Sequence, residues 1–232
     1  MKIEPLKITI ELATPVVTES EYPIYLDALL SYAASKEAEA AGLADAWKAG
    51  EDLPLGRAGQ GDDWVYQASM LIFTPIAPRE LVNMQRKASP EMFYRDFELG
   101  LWGFPALKSG KENTKEPPTI NTLSGQFRAY QYYTSTQWMS HACAYCIGDK
   151  EAITRLLKQL THIGKMGRNG WGLIDSITVE SDPCAESKWA LRVLPAGIQS
   201  PLSDVEYMPV LSAPRAPYWN KQTHIEMQGP AV

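Results

Sequence analysis

Residues 6–13, LKITIELA, set Leu6, Ile8, Ile10 and Leu12 against Lys7, Thr9 and Glu11 in strict alternation. A period of two with one apolar side predicts a strand with one buried face. The polar stretch TPVVTESEYP follows as a loop, and the period changes at Ile24. Leu26, Leu29, Leu30 and Ala33 then recur at helical spacing, and an alanine-rich segment runs on to Gly42, a residue suited to ending a helix. Residues 43–64 scatter Gly, Asp and Pro and predict a loop or irregular insertion. Residues 65–73, VYQASMLIF, read as a second strand, ended by Pro75 and Pro78.

Residues 79–125 keep no period. They hold the basic pair Arg86–Lys87, the aromatics Phe93, Tyr94, Phe97, Trp102 and Phe104, and the proline-broken tract KSGKENTKEPPT. So long a stretch without period points to function or disorder rather than to filler. Alternation returns over residues 126–147, with Arg128, Tyr130 and Tyr132 on one side, and ends in the apolar WMSHACAYCI of a third strand. Asp149 suits the N-cap of a second helix, whose stripe is Ile153, Leu156, Leu157 and Leu160. A glycine-rich loop and a fourth strand, LIDSITVE, follow. The order βαββαβ predicts an α+β, ferredoxin-like fold with two helices on one face of a four-stranded antiparallel sheet. An insertion of about 79–135 would lie between its second and third strands. Residues 1–188 are read as that domain, and 189–232, with six prolines, as an extended tail packing on it.

Composition narrows the function. The 232 residues are 45% hydrophobic, enough for a real core, and hold no apolar run of about 18 residues that would span a membrane. The N-terminus mixes Glu and Lys into the first strand, unlike a signal peptide. Three cysteines cannot all pair, which favours a reduced, cytoplasmic protein. A net charge of −5 argues at first against a nucleic-acid partner. The charge is uneven, however. Residues 1–75 hold 5 basic and 12 acidic side chains, net −7, whereas residues 76–131 are net +2 and residues 150–175 net +3. One anion-binding face on an acidic protein is compatible with that asymmetry.

The basic stretch contains Gly164-Lys165-Met166-Gly167-Arg168-Asn169-Gly170-Trp171-Gly172. Four glycines in nine positions permit positive φ and close backbone approach. Its N–H groups, with Lys165 and Arg168, suit an anion nest, and Trp171 suits stacking on a base. The order is neither that of a Walker loop nor that of a dinucleotide fold, and a tight helix-to-strand turn is the plain structural alternative.

A glycine-rich loop between the last helix and last strand of a ferredoxin-like fold resembles the RAMP superfamily of CRISPR RNA-binding proteins. The opening around Leu26, Asp27, Leu29 and Leu30, the RVLP segment at Arg192–Pro195 and the PYW ending at Pro217–Trp219 are similar to the Cas-five-type subunit of type IV (AFERR-type) CRISPR complexes. That resemblance implies a non-catalytic, cofactor-free subunit that caps the 5′ handle of the guide RNA (crRNA) and contacts the neighbouring backbone and large subunits. It leaves contact with target DNA open. Gly164, Lys165, Gly167, Arg168, Asn169, Gly170 and Trp171 would meet the handle, with Arg86, Lys87 and Arg128 as secondary contacts. The insertion would form a thumb.

His141, Cys143 and Cys146 form H-x-C-x-x-C, but alternation puts the first two on one strand face and the third on the other, so core positions are expected rather than a metal site. His162, beside the glycine loop, is the best-placed of three histidines for a metal-independent ribonuclease of the same superfamily. A purely structural interaction module is the remaining alternative.

Overall fold

A computed structural model describes residues 2–17, 23–87, 89–101, 121, 123–125 and 128–231. The chain divides into two compact units, residues 1–80 with 136–232, and residues 81–135. In chain order the elements are β1 (Ile3–Leu12), β2 (Val16–Val17), α1 (Leu26–Ala40), a 3₁₀ turn (Ala46–Glu51), β3 (Arg57–Gln60), β4 (Asp63–Tyr66) and β5 (Ile72–Pro75). The second unit carries β6 (Glu80–Arg86), α2 (Pro90–Glu98) and most of β7 (Tyr130–Gln137). Then come β8 (Met139–Asp149), α3 (Lys150–Leu157), β9 (Ile174–Ser181), α4 (Ala185–Lys188), β10 (Leu194–Pro195), β11 (Tyr207–Ser212) and β12 (Ile225–Pro230).

The centre of the first unit is a four-stranded sheet in the order β5-β8-β1-β9. All three pairings are antiparallel, with Ile8 opposite Ala144 and Val179, and Ile72 opposite Cys143. Alternation on β1 does what it predicts. Leu6, Ile8 and Ile10 are fully buried and join Leu26, Leu30 and Ala33 of α1 and Ile153, Leu156 and Leu157 of α3 in one core. Each buried Leu or Ile among them contributes about 1.5–3 kcal/mol by leaving water. Asp149 caps α3, its Oδ1 accepting the Ala152 N–H at 3.0 Å. Gly42, at φ +76°, follows the α1 cap in the left-handed conformation.

Three expectations change. The strand expected over 65–73 is interrupted: β4 ends at Tyr66 and β5 begins at Ile72. Between them the Met70 and Leu71 N–H groups bond to the Leu191 and Ile24 carbonyls instead of to a continuous sheet partner. Residues 43–64 are not all loop, because β3 and β4 form a hairpin with Gln60 opposite Asp63 and Gly61 at φ +60° in its turn. The C-terminal segment is extended, but it pairs with itself as a sheet in the order β10-β12-β11. Met227, fully buried on β12, joins Val65, Trp189, Leu194 and Tyr218 in a second apolar cluster.

In the second unit β6 and β7 are sheet neighbours, and none of the described side chains of α2 is buried. The whole KSGKENTKEPPT tract, with Trp102 and Phe104, lies outside the described residues. So does most of TESEYP.

Candidate nucleic-acid interface

The glycine-rich segment is a closed excursion with a built neck. Ile163 N–H donates to the Gly172 carbonyl at 2.8 Å and Ile174 N–H to the Thr161 carbonyl at 3.0 Å. The chain after β1 clamps the same neck. Ala13 N–H reaches the Leu173 carbonyl at 2.9 Å, and Gly172 N–H reaches the Pro15 carbonyl at 2.8 Å. Thr14 Oγ1 donates to the Gly170 carbonyl at 2.8 Å while accepting the Leu173 N–H at 2.9 Å. Thr14 therefore ties the loop at two points. Nothing in the local sequence marks it, since its partners lie some 156 and 159 positions away.

Glycine is required at the neck. A Cβ on Gly172 would collide with the Ile163 carbonyl oxygen, and the residue sits at φ +66°. Gly164, at φ +80°, lies against Val16, where a Cβ would come within 3.1 Å of Cγ1. Met166 adopts φ +63° without being glycine, a conformation that costs on the order of 1 kcal/mol. It leads into a short 3₁₀ turn over Gly167–Asn169, closed by bonds from Asn169 N–H to Met166 and from Gly170 N–H to Gly167. The amides of Gly164, Lys165, Gly167 and Arg168 are left without a backbone acceptor among the described residues. Lys165 and Arg168 are exposed and form no ion pair among the described residues, whereas Trp171 is half-buried. The seven loop residues singled out by sequence thus share one excursion held at its neck, with two exposed cations and several N–H donors that have no backbone acceptor among the described residues.

Beside it runs a cleft of about 440 Å³, floored by Leu29, Leu160 and Ile163 and edged by Tyr32, His162 and Arg168. Tyr32 projects from α1 and is 56% exposed. His162 Nδ1 lies 3.0 Å from Thr161 Oγ1, which fixes the ring beside the loop. Tyr32 was not a sequence candidate. The available signal was its spacing of three from Leu29, which puts both on one side of α1.

The secondary candidates belong to the second unit. Arg86 is half-buried at the end of β6, Lys87 follows it exposed, and Arg128 is exposed ahead of β7. Tyr130, Tyr132 and Tyr133 of β7 are exposed, and the first two rings lie 5.6 Å apart.

His141 and Cys143 are half-buried, with His141 Nε2 3.3 Å from Thr74 Oγ1, and Cys146 is buried in the core. Burial pushes the Cys146 thiol up to about 12. Among the described residues no three His, Cys, Asp or Glu side chains are grouped to hold a metal ion.

The LDALL, RVLP and PYW phrases meet elsewhere, inside the first unit. Arg192 is fully buried, and its guanidinium donates to the Tyr66, Ala68 and Pro214 carbonyls at 2.8, 3.1 and 3.0 Å. It also reaches Tyr218 Oη at 2.7 Å and Asp27 Oδ2 at 3.5 Å. Burial works against its charge, yet Tyr218 and Asp27 beside it hold its pKa above the ordinary value. Burial, above all, pushes the Tyr218 hydroxyl well above 10. One residue of each phrase, Asp27, Arg192 and Tyr218, thus serves the interior.

The model of the family described as CRISPR type IV associated protein Csf3 matches residues 4–230. The chain belongs to the Csf3 family. The match takes in both units and every candidate residue above, so the Csf3 assignment covers the fold and the loop together. No curated protein matches the chain. No helix among the described residues is long and apolar enough to cross a membrane.

Proposed function

We propose that this Csf3-family chain is a non-catalytic, RNA-binding scaffold subunit of a type IV CRISPR effector complex in the cytoplasm. It would hold the 5′ handle of the guide RNA and contact the adjacent backbone subunit. In this reading the first unit is a ferredoxin-like RAMP fold. The β-α-β-β-α-β order of its core and the strand order β5-β8-β1-β9 support that, since they put the first and third core strands together at the centre. The second unit would be the thumb, inserted between the second and third core strands.

The observation that carries the reading is the pairing of Lys165 and Arg168, both exposed and without an ion pair among the described residues, with amides that have no backbone acceptor among those residues, on a loop clamped at its neck. Backbone N–H donors held by the neck suit phosphate oxygens, and Lys165 and Arg168 add positive charge beside them. Single-stranded RNA also offers unstacked bases, for which the adjoining aromatic cleft is suited.

Purifying the assembled complex and sequencing its bound RNA tests this. A uniform short RNA with a common 5′ end is expected, and a complex without RNA would overturn the reading. Cleavage of precursor RNA by the wild-type chain, lost in His162→Ala with RNA binding intact, would replace the non-catalytic role with a nuclease.

A further inference from the structure

Tyr32 spends more than half its surface in solvent and lines a cleft together with the apolar Leu29, Leu160 and Ile163, the imidazole of His162 and the guanidinium of Arg168. At about 440 Å³ the cleft falls in the roughly 300–1,000 Å³ range of small-ligand sites. An unstacked nucleotide asks for these features together: an aromatic face for the base, an apolar floor, a hydrogen-bonding side chain for the base edge and a cation for the phosphate.

We propose that the cleft seats one extruded nucleobase of single-stranded RNA against the Tyr32 ring, with His162 facing the base edge and Arg168 the phosphate beside it. The proposal rests on the RNA-binding reading of the loop and adds a base-reading subsite to it. Lys165 and Arg168 act on any phosphate chain, whereas Tyr32 acts only where a base is present.

That difference supplies the test. The full chain is titrated with a labelled single-stranded oligoadenylate and with an abasic ribose-phosphate oligomer of equal length. Tyr32→Ala should weaken binding of the oligoadenylate about 5- to 150-fold, as expected for one lost base–aromatic stack, and leave the abasic oligomer unaffected. Tyr32→Phe should bind both as the wild-type chain does. Because Tyr32 is exposed, the alanine variant should keep the wild-type melting temperature, which is measured alongside. The proposal falls if Tyr32→Ala binds oligoadenylate normally, if it loses both probes equally, or if Tyr32→Phe is as weak as Tyr32→Ala. It also falls if Tyr32→Ala keeps its RNA affinity and instead releases a neighbouring subunit from the purified complex. Lys165→Glu with Arg168→Glu, by contrast, should weaken both probes. If that double variant changes neither, the RNA-binding reading itself is wrong, whatever Tyr32 does.

Discussion

Tyr218 donates its hydroxyl proton to the Asp27 carboxylate at 2.6 Å, across 191 positions of chain. Arg192 completes the group, and among the described residues no buried side-chain nitrogen or oxygen lacks a partner. Full satisfaction is what makes an interior ion group tolerable, and loss of one member leaves the others desolvated and unpaired. Arg192→Ala should therefore destabilise the full chain by about 3–5 kcal/mol in urea unfolding. Tyr218→Phe removes one hydroxyl and should cost about 1–3 kcal/mol. An unchanged urea midpoint for Arg192→Ala would show that the network contributes nothing.

The glycines of the loop are not equivalent. Gly170 has φ +86° with nothing near a would-be Cβ, so Gly170→Ala meets only the left-handed backbone penalty, about 1 kcal/mol. Gly172→Ala adds a collision with the Ile163 backbone at the neck, where Ile163 cannot yield without loosening its bond to the Gly172 carbonyl. It should lower the melting temperature well beyond Gly170→Ala and weaken RNA binding too. Equal melting temperatures for the two variants would contradict the neck geometry.

Strong periods were legible where one face is buried and the other wet. β1, α1 and α3 satisfy that, and Leu6, Ile8, Leu30 and Leu157 announce it in the sequence. β11 does not: Met208, Val210 and Leu211 are all exposed, so the strand carries no alternation to read. β3, RAGQ, has no apolar stripe and is held by its turn. α2 has helical spacing, but at nine residues it is too short to stand out in a segment with no other period. At the interface, composition exposed the glycine loop. Thr14 and Tyr32 escaped notice because they enter from β1's end and from α1, brought there by the fold. Asp27, Arg192 and Tyr218 were visible only as scattered phrases, and their shared purpose needed three-dimensional proximity.

Asp149 links α3 to pH. Its side chain accepts the Ala152 N–H and also the Lys2 N–H at 3.1 Å. The Ala152 bond, first among the causes, holds its pKa below the ordinary carboxylate value. A depressed folded-state pKa gives stability that is present above the unfolded value, about 3.9, and is lost as pH falls through the folded one. Asp149→Asn keeps a capping oxygen without the titration, so it should melt near the wild type at neutral pH and show a shallower acid limb. Asp149→Ala should melt lower at neutral pH as well. Identical acid limbs for wild type and Asp149→Asn would remove Asp149 from the acid response.

The net charge of −5 sets the terms on which this chain meets RNA. Twelve acidic side chains in residues 1–75 repel a polyanion at long range, so attraction has to come from a few cations near the loop. Binding by the isolated chain should accordingly be weak and steeply salt-dependent, and firm only within the assembly. Each phosphate contact on a single strand adds about 0.7 to the slope of log affinity against log salt. Lys165→Glu with Arg168→Glu removes two cations and should flatten that slope by about 1.4 at minimum, because the introduced carboxylates also repel. Fluorescence anisotropy across a salt series measures it. A slope unchanged from wild type would mean that the counterions released on binding come from some other face, and the loop would then be a turn and nothing more.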